Sequence, residues 1–152
     1  MWIDADATPR DVKEIVFRAA KRLGIATILV ANQRLDTPPG NPLISAVRVG
    51  GGPDMADEYI VQQARSGDLV VTQDIPLAAL LVPMGVVVLD PRGDEHTEET
   101  IGERLSIRDL MESFRGAGVL TGGPAPYDNR AKQAFASALD RVLTRMVKSR
   151  RS

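Results

Sequence analysis

The chain has 152 residues, 43% of them hydrophobic and 26% charged, with a formal net charge of −1. That is the length of one domain and the composition of an ordinary water-soluble fold. Apolar runs such as Gly85–Leu89 are too short to cross a bilayer, and Met1-Trp2-Ile3 runs into Asp4 without a leader-like region, so a cytoplasmic location and no membrane contact are expected. Cysteine is absent, which excludes disulfides, thiolate metal sites and thiol nucleophiles.

The first residues to Ile3 form a short apolar run, predicted to be an inner strand. Thr8 suits an N-cap and Pro9 a first helical position. Val12, Ile15, Val16, Ala19, Ala20 and Leu23 then follow helical spacing up to Gly24. Residues 25–31 read as a second buried strand, 32–45 with three prolines as an exposed loop, and 46–49 as a short third strand closed by Gly50-Gly51-Gly52-Pro53. A helix is predicted over 54–65, a strand over 69–72, a short helix opened by Pro76 and a strand over 86–89. Residues 97–116 read as helical with a break near Ser106, and 116–127, rich in Gly and Pro, as a surface segment. Ala131, Ala134, Phe135, Ala138, Leu139, Val142, Leu143 and Met146 mark the apolar stripe of a long last helix. Strands alternating with helices argue an α/β fold: a mostly parallel central sheet covered on both faces, in a single domain without internal repeats.

Charge is unevenly distributed. Residues 130–152 hold seven Lys or Arg against the single acid Asp140, so the remainder of the chain is acidic. The basic stretch of about 128–152 is either a docking surface for a polyanion or the complement of its own helix dipole.

Five acids fall where a predicted strand gives way to a helix or turn: Asp4 and Asp6 in I-D-A-D-A-T-P, Asp54 and Asp57 in G-G-P-D-M-A-D-E, and Asp74 in V-V-T-Q-D-I-P-L. Acids at the carboxyl ends of strands in an α/β sheet can converge on one crevice. A carboxylate cluster suits hard cations, so Mg²⁺ or Mn²⁺ and chemistry on phosphate esters are expected. Each acid also has a local alternative. Asp6 can cap or form a turn, Asp4 can accept a local hydrogen bond, Asp54 can N-cap its helix, Asp57 can offset the dipole, and Asp74 can cap the helix begun at Pro76. If residues 4–6 are extended, Asp4 and Asp6 share a face. Asp90 and Asp94 follow another strand, where turn chemistry is favoured and a fourth acid is the alternative. His96 is the single histidine, which leaves a Ser-His-Asp triad without support. Gly50-Gly51-Gly52 lacks the Lys-Ser/Thr of a P-loop, and no G-x-G-x-x-G opens a helix.

The order of motifs resembles the bacterial YaiI/YqxD family. D-A-D-A-T-P at Asp4–Pro9, G-G-P-D-M-A-D at Gly51–Asp57 and D-L-V-V-T-Q-D-I-P-L-A at Asp68–Ala78 carry the likeness. Arg92-Gly93, Gly122-Gly123-Pro124, Phe135 and Leu139 extend it over essentially the whole chain. Thr8 stands where that family commonly has cysteine. The family looks like a branch of the PIN-like superfamily, better known for metal-dependent ribonucleases. The resemblance therefore implies one three-layer α/β/α PIN-like domain over residues 1–152.

Carried onto this chain, the resemblance implies metal ligands at Asp4, Asp54 or Asp57, and Asp74, with Thr72 beside Asp74. The mechanism expected is phosphodiester hydrolysis, RNA ahead of DNA, in which Asp4, Asp6, Asp57 and Asp74 act catalytically and Asp6 orients water. Thr72 and Asp90 support the site, and Arg92, Arg130 and Lys132 contact the nucleic-acid backbone. Few aromatics are available for base stacking. Two rivals accompany this reading. One is a non-catalytic RNA- or protein-binding PIN-like module. The other is a haloacid-dehalogenase-like phosphatase with Asp4 as nucleophile and Asp6 as acid/base, which lacks an obvious lysine between the motifs. Oligomeric state is not readable from the sequence.

Overall fold

A computed structural model describes residues 1–52, 54–119 and 126–151. Six strands form one sheet: β1 (Trp2–Asp4), β2 (Thr27–Ala31), β3 (Ile44–Arg48), β4 (Leu69–Val71), β5 (Val87–Leu89) and β6 (Glu95–His96). Their order is β3-β2-β1-β4-β5-β6, and all neighbours are parallel except the antiparallel pair β5–β6. Five α-helices accompany them: α1 (Arg10–Leu23), α2 (Met55–Gln63), α3 (Ile75–Leu81), α4 (Glu98–Gly116) and α5 (Asn129–Arg151).

The period of two along each strand sorts the core into two layers. Ile3, Leu29, Val71 and Leu89 face one side, where Val12 and Val16 of α1 meet Phe135, Leu139 and Val142 of α5. Trp2, Val30, Val70 and Val88 face the other, against Ile60 of α2, Leu77 and Leu81 of α3 and Ile101 of α4. Strands buried on both faces explain the near-continuous apolar runs in the sequence. The arrangement is a three-layer α/β/α fold. Its chain runs outward from β1 to β3 and then returns to the far side of β1 at β4, which opens a crevice at the carboxyl ends of β1 and β4.

Several boundaries depart from expectation. Pro9 is the N-cap residue of α1 and Arg10 its first residue, because Ala5–Ala7 form a 3₁₀ turn that the strand-to-helix reading did not allow for. The Thr8 hydroxyl makes no cap bond; it donates to the Asp4 carbonyl oxygen at 2.7 Å. Helix α4 runs unbroken through Ser106, whose hydroxyl satisfies itself on the Gly102 carbonyl one turn back. A Thr97–Thr100 capping box sets its start. Strand β6 was not anticipated: two residues are too few for a periodic signal.

Gly24 ends α1 at φ +67 as expected. The predicted surface segment over 116–127 lies partly outside the described residues, as do Gly122-Gly123-Pro124 and Pro53.

Candidate metal centre

Asp4 is the last residue of β1 and shares a face with Trp2, so its carboxylate points toward α2 rather than α1. It is only 3% exposed. Asp57 lies in the first turn of α2, and Asp74 sits at the N-cap of α3, just beyond β4. The three offer carboxylate oxygens that all lie within 4.8 Å of one another. Oxygens around one cation at ~2.1–2.4 Å lie at most ~4.2–4.8 Å apart, so this spacing fits a single hard divalent ion.

Two of the three acids are held by hydrogen bonds rather than by cations. The Thr72 hydroxyl donates to Asp4 Oδ2 at 2.8 Å and accepts the Asp74 N–H at 2.9 Å. Asp74 Oδ1 accepts the Leu77 N–H at 3.0 Å, which is the cap of α3. Capping and clustering thus coexist at Asp74, each using part of the carboxylate. Thr72, fully buried, is the link that fixes Asp4 relative to the β4 end. None of the ion pairs found among the described residues involves Asp4, Asp57 or Asp74.

The energetic consequence is visible in their proton affinities. Burial is the main cause that raises Asp4 to about 6; the Thr72 bond moderates the rise and the negative charges of Asp74 and Asp6 add to it. Asp57 rises to about 7, through burial first, then repulsion from Asp74, a hydrogen bond shared with Asp74, and the charges of Asp4 and Asp54. Carboxylates gathered without a counter-charge are strained electrostatically, and a bound cation would relieve that strain.

The other expected site residues are placed as follows. Asp6 is exposed and lies in the 3₁₀ turn, where its Oδ2 accepts the Asn32 N–H at 2.8 Å; it therefore ties β1 to the end of β2 and does not share a face with Asp4. Asp54 is exposed at the N-cap position of α2, yet its side chain makes no cap bond; it touches the cluster through its charge on Asp57. Asp90 is a turn residue: its Oδ1 accepts the Arg92 N–H at 2.7 Å and its backbone pairs with Asp94 and Gly93. Burial raises its pKa, against the effect of that bond.

Arg92 lies over the Tyr127 ring at 5.8 Å, and the Tyr127 hydroxyl donates to the Pro91 carbonyl at 2.8 Å. Lys132 pairs with Asp11 at 3.2 Å, and Arg130 is exposed near the start of α5. The Arg92-Gly93 turn rests directly on α5: a Cβ at Gly93 would lie 2.7 Å from the Ala134 carbonyl oxygen, and its φ is +94. Only glycine fits there.

The sequence reading missed Arg108. It lines a groove of about 460 Å³ together with Ala7, Gln73, Asp74 and Ile75, immediately beside the acids. A larger cavity, about 670 Å³, lies elsewhere, between α1 and the 32–43 loop, and reaches none of the three acids.

Fold and site together define an α/β protein with an acidic, cation-type crevice at the carboxyl edge of its sheet. The chain belongs to the uncharacterised bacterial YaiI/YqxD family, whose profile matches residues 2–145. It is 56% identical to a UPF0178 protein of Myxococcus xanthus over 98% of this chain and 97% of the other. A UPF0178 protein of Trichlorobacter lovleyi is 55% identical, over 97% and 96%, and one of Citrifermentans bemidjiense is 55% identical, over 100% and 98%. No solved structure matches the chain. No helix among the described residues is long and apolar enough to cross a membrane.

Proposed function

We propose that this protein is a PIN-like, divalent-metal-dependent nuclease of the cytoplasm that hydrolyses phosphodiester bonds, RNA ahead of DNA. The observation that carries the reading is the trio Asp4, Asp57 and Asp74, within 4.8 Å of one another and with no cationic partner among the described ion pairs. Asp4, Asp57 and Asp74 would hold Mg²⁺ or Mn²⁺. When bound, such an ion polarises a phosphoryl oxygen and makes hydroxide available near neutral pH.

The chain's own groups supply the rest. Thr72 holds Asp4 in place through its hydroxyl, and the Leu77 amide holds Asp74, so two of the three oxygens are set before any ligand arrives. Asp57, raised to about 7 in the absence of a cation, must release its proton to become a ligand, so cation binding and proton loss are coupled there and binding weakens as pH falls below neutral. Arg92 and Arg130, with Lys132 in its pair with Asp11, are assigned to the substrate's backbone on the α5 side. Asp6, whose Oδ2 accepts the Asn32 amide, is exposed and has its second carboxylate oxygen to orient water. The 3₁₀ turn that carries Asp6 off the face of Asp4 weakens the phosphatase alternative, in which Asp6 must act as acid/base next to Asp4.

The test is incubation with RNA and DNA of mixed sequence in Mn²⁺, Mg²⁺ or EDTA, beside Asp74→Asn. Asparagine also caps helices, so the variant keeps α3 while losing a charged ligand. Cleavage that needs metal and disappears in the variant supports the proposal. Cleavage that survives EDTA or the substitution refutes it, and RNA binding without cleavage turns the reading toward a non-catalytic module.

A further inference from the structure

Arg108 and Arg104 stand on α4 one turn apart, and both face the groove system that opens at Asp74. The cavity beside Asp74 shares Ile75 and Arg108 with a second of about 580 Å³, which continues between α3 and α4 over Thr100, Glu103, Arg104 and Ile107. The two form one trough that leads away from the acids. Ile75 and Ile107 give it an apolar floor, and its charged lining is Asp74, Glu103, Arg104 and Arg108.

The guanidinium of Arg108 is fixed from its outer edge. Its Nη1 and Nη2 donate to both carboxylate oxygens of Glu112, at 3.1 and 3.0 Å, and Nη1 also reaches Asp109 at 3.2 Å. A planar fork with five donors keeps further N–H groups for a ligand in the groove. Arg104 reaches Asp94 at 3.4 Å. Asp94, Asp109 and Glu112 are each more than half exposed, so phosphate oxygens can compete for the arginines at little cost in burial. Residues four apart on a helix are ~6 Å apart along its axis, comparable to the step between adjacent phosphates of an extended strand.

We infer that this trough is the track for one side of a single-stranded polynucleotide, with Arg108 contacting the phosphate next to the one at the acids and Arg104 the following one. The inference rests on the nuclease reading for what happens at Asp4, Asp57 and Asp74, but the track itself is a binding property. It implies that the substrate must extend at least two phosphates beyond the reacting bond. It also places a specificity element on the face of the sheet opposite α5, away from Arg92, Arg130 and Lys132.

The test uses fluorescein-labelled single-stranded RNA and DNA of two to eight nucleotides with Mg²⁺, comparing wild type with Arg108→Gln, Arg104→Gln and Arg115→Gln. Arg115 is exposed on α4 and lines neither part of the trough. Thermal melting confirms that each variant is folded. In wild type, kcat/KM should rise at least tenfold from two to four nucleotides. Arg108→Gln should remove most of that gain, chiefly through KM, and reduce the slope of log K against log salt by about 0.7, the value for one phosphate contact on a single strand. Arg115→Gln should retain the gain. Equal length dependence in wild type and the groove variants overturns the inference. If no substrate is cleaved, the nuclease reading fails, and fluorescence anisotropy of the eight-nucleotide strands still decides the track. At least tenfold weaker binding by Arg108→Gln supports the track, whereas undiminished binding, or none by wild type, overturns it. RNA and DNA arms that differ in affinity show which strand the trough prefers.

Discussion

Raising the pH of the metal-free protein from 5 to 8 should weaken it, and Asp57→Asn should remove much of that loss. Asp4 and Asp57 keep protons in the folded state that the unfolded chain has released above about pH 3.8. The folded protein therefore binds more protons between about pH 4 and 7, and the contribution of these groups to stability falls as pH rises through that window. A carboxyl raised from 3.8 to about 6, as in Asp4, costs ~3 kcal/mol when charged, at about 1.36 kcal/mol per pH unit. The rise of Asp57 to about 7 gives ~4 kcal/mol by the same rule, which solvent screening and the repulsion it shares with Asp4 reduce to ~2.

His96 titrates with the opposite sign, because burial lowers its pKa, but its effect cancels when wild type and variant are compared at each pH. Urea unfolding in EDTA at pH 5 and 8 measures both. Asp57→Asn should exceed wild type by less than about 1 kcal/mol at pH 5 and by ~2 kcal/mol at pH 8. Mn²⁺ at a hundred times its dissociation constant should add ~2.7 kcal/mol to wild type and erase that advantage. A variant no more stable than wild type at pH 8 would refute the electrostatic account of the cluster.

Thr72→Val keeps the shape of the side chain but removes the donor to Asp4 and the acceptor for the Asp74 amide, so calorimetric Mn²⁺ affinity should drop ~10–100-fold; unchanged affinity would show that Asp4 is positioned without it. His96 is 4% exposed and both its ring nitrogens lack a partner among the described residues. His96→Phe should therefore raise stability by ~1 kcal/mol at pH 7 and by more at pH 5, where the unfolded histidine gains a proton that the buried one resists. A lower melting temperature for this variant at pH 5 would contradict the assignment. Gly93→Ala forces a Cβ against the Ala134 carbonyl at a positive φ, and a loss of ~3 kcal/mol in urea midpoint experiments is expected; a loss below ~1 kcal/mol would mean that the turn lifts off α5 freely.

The layer structure was legible because parallel strands covered on both sides leave continuous apolar runs, and α1 and α5 leave clean helical stripes. Three of the acids were legible for a related reason: Asp4, Asp57 and Asp74 are the polar residues that punctuate those runs at strand and helix ends. Which acids converge was not. The 3₁₀ turn after Asp4 swings Asp6 onto the Asn32 amide, and such a turn leaves no periodic trace in three residues. Asp54 and Asp57 share a local pattern, and only the docking of α2 against β1 and β2 separates the inward acid from the exposed one. Arg108 carried no signal, since i,i+4 pairing with Glu112 is the commonest use of an arginine on a solvated helix. Its place beside Asp74 depends on the packing of α3 against α4.

Strand β1 contributes only Trp2, Ile3 and Asp4, yet it is the sole ribbon between β2–β3 on one side and β4–β5–β6 on the other. The acids straddle that seam, with Asp4 on it, Asp74 beyond β4, and Asp57 on a helix that packs across β1 and β2. Neither half of the sheet can assemble the trio by itself. The crevice is thus an all-or-none property: a fluctuation that parts the sheet between β1 and β4, joined by two residue pairs, disperses the three charges at once. A cation bridging them would act as a rivet, sharpening the cooperativity of the whole domain rather than stiffening one loop.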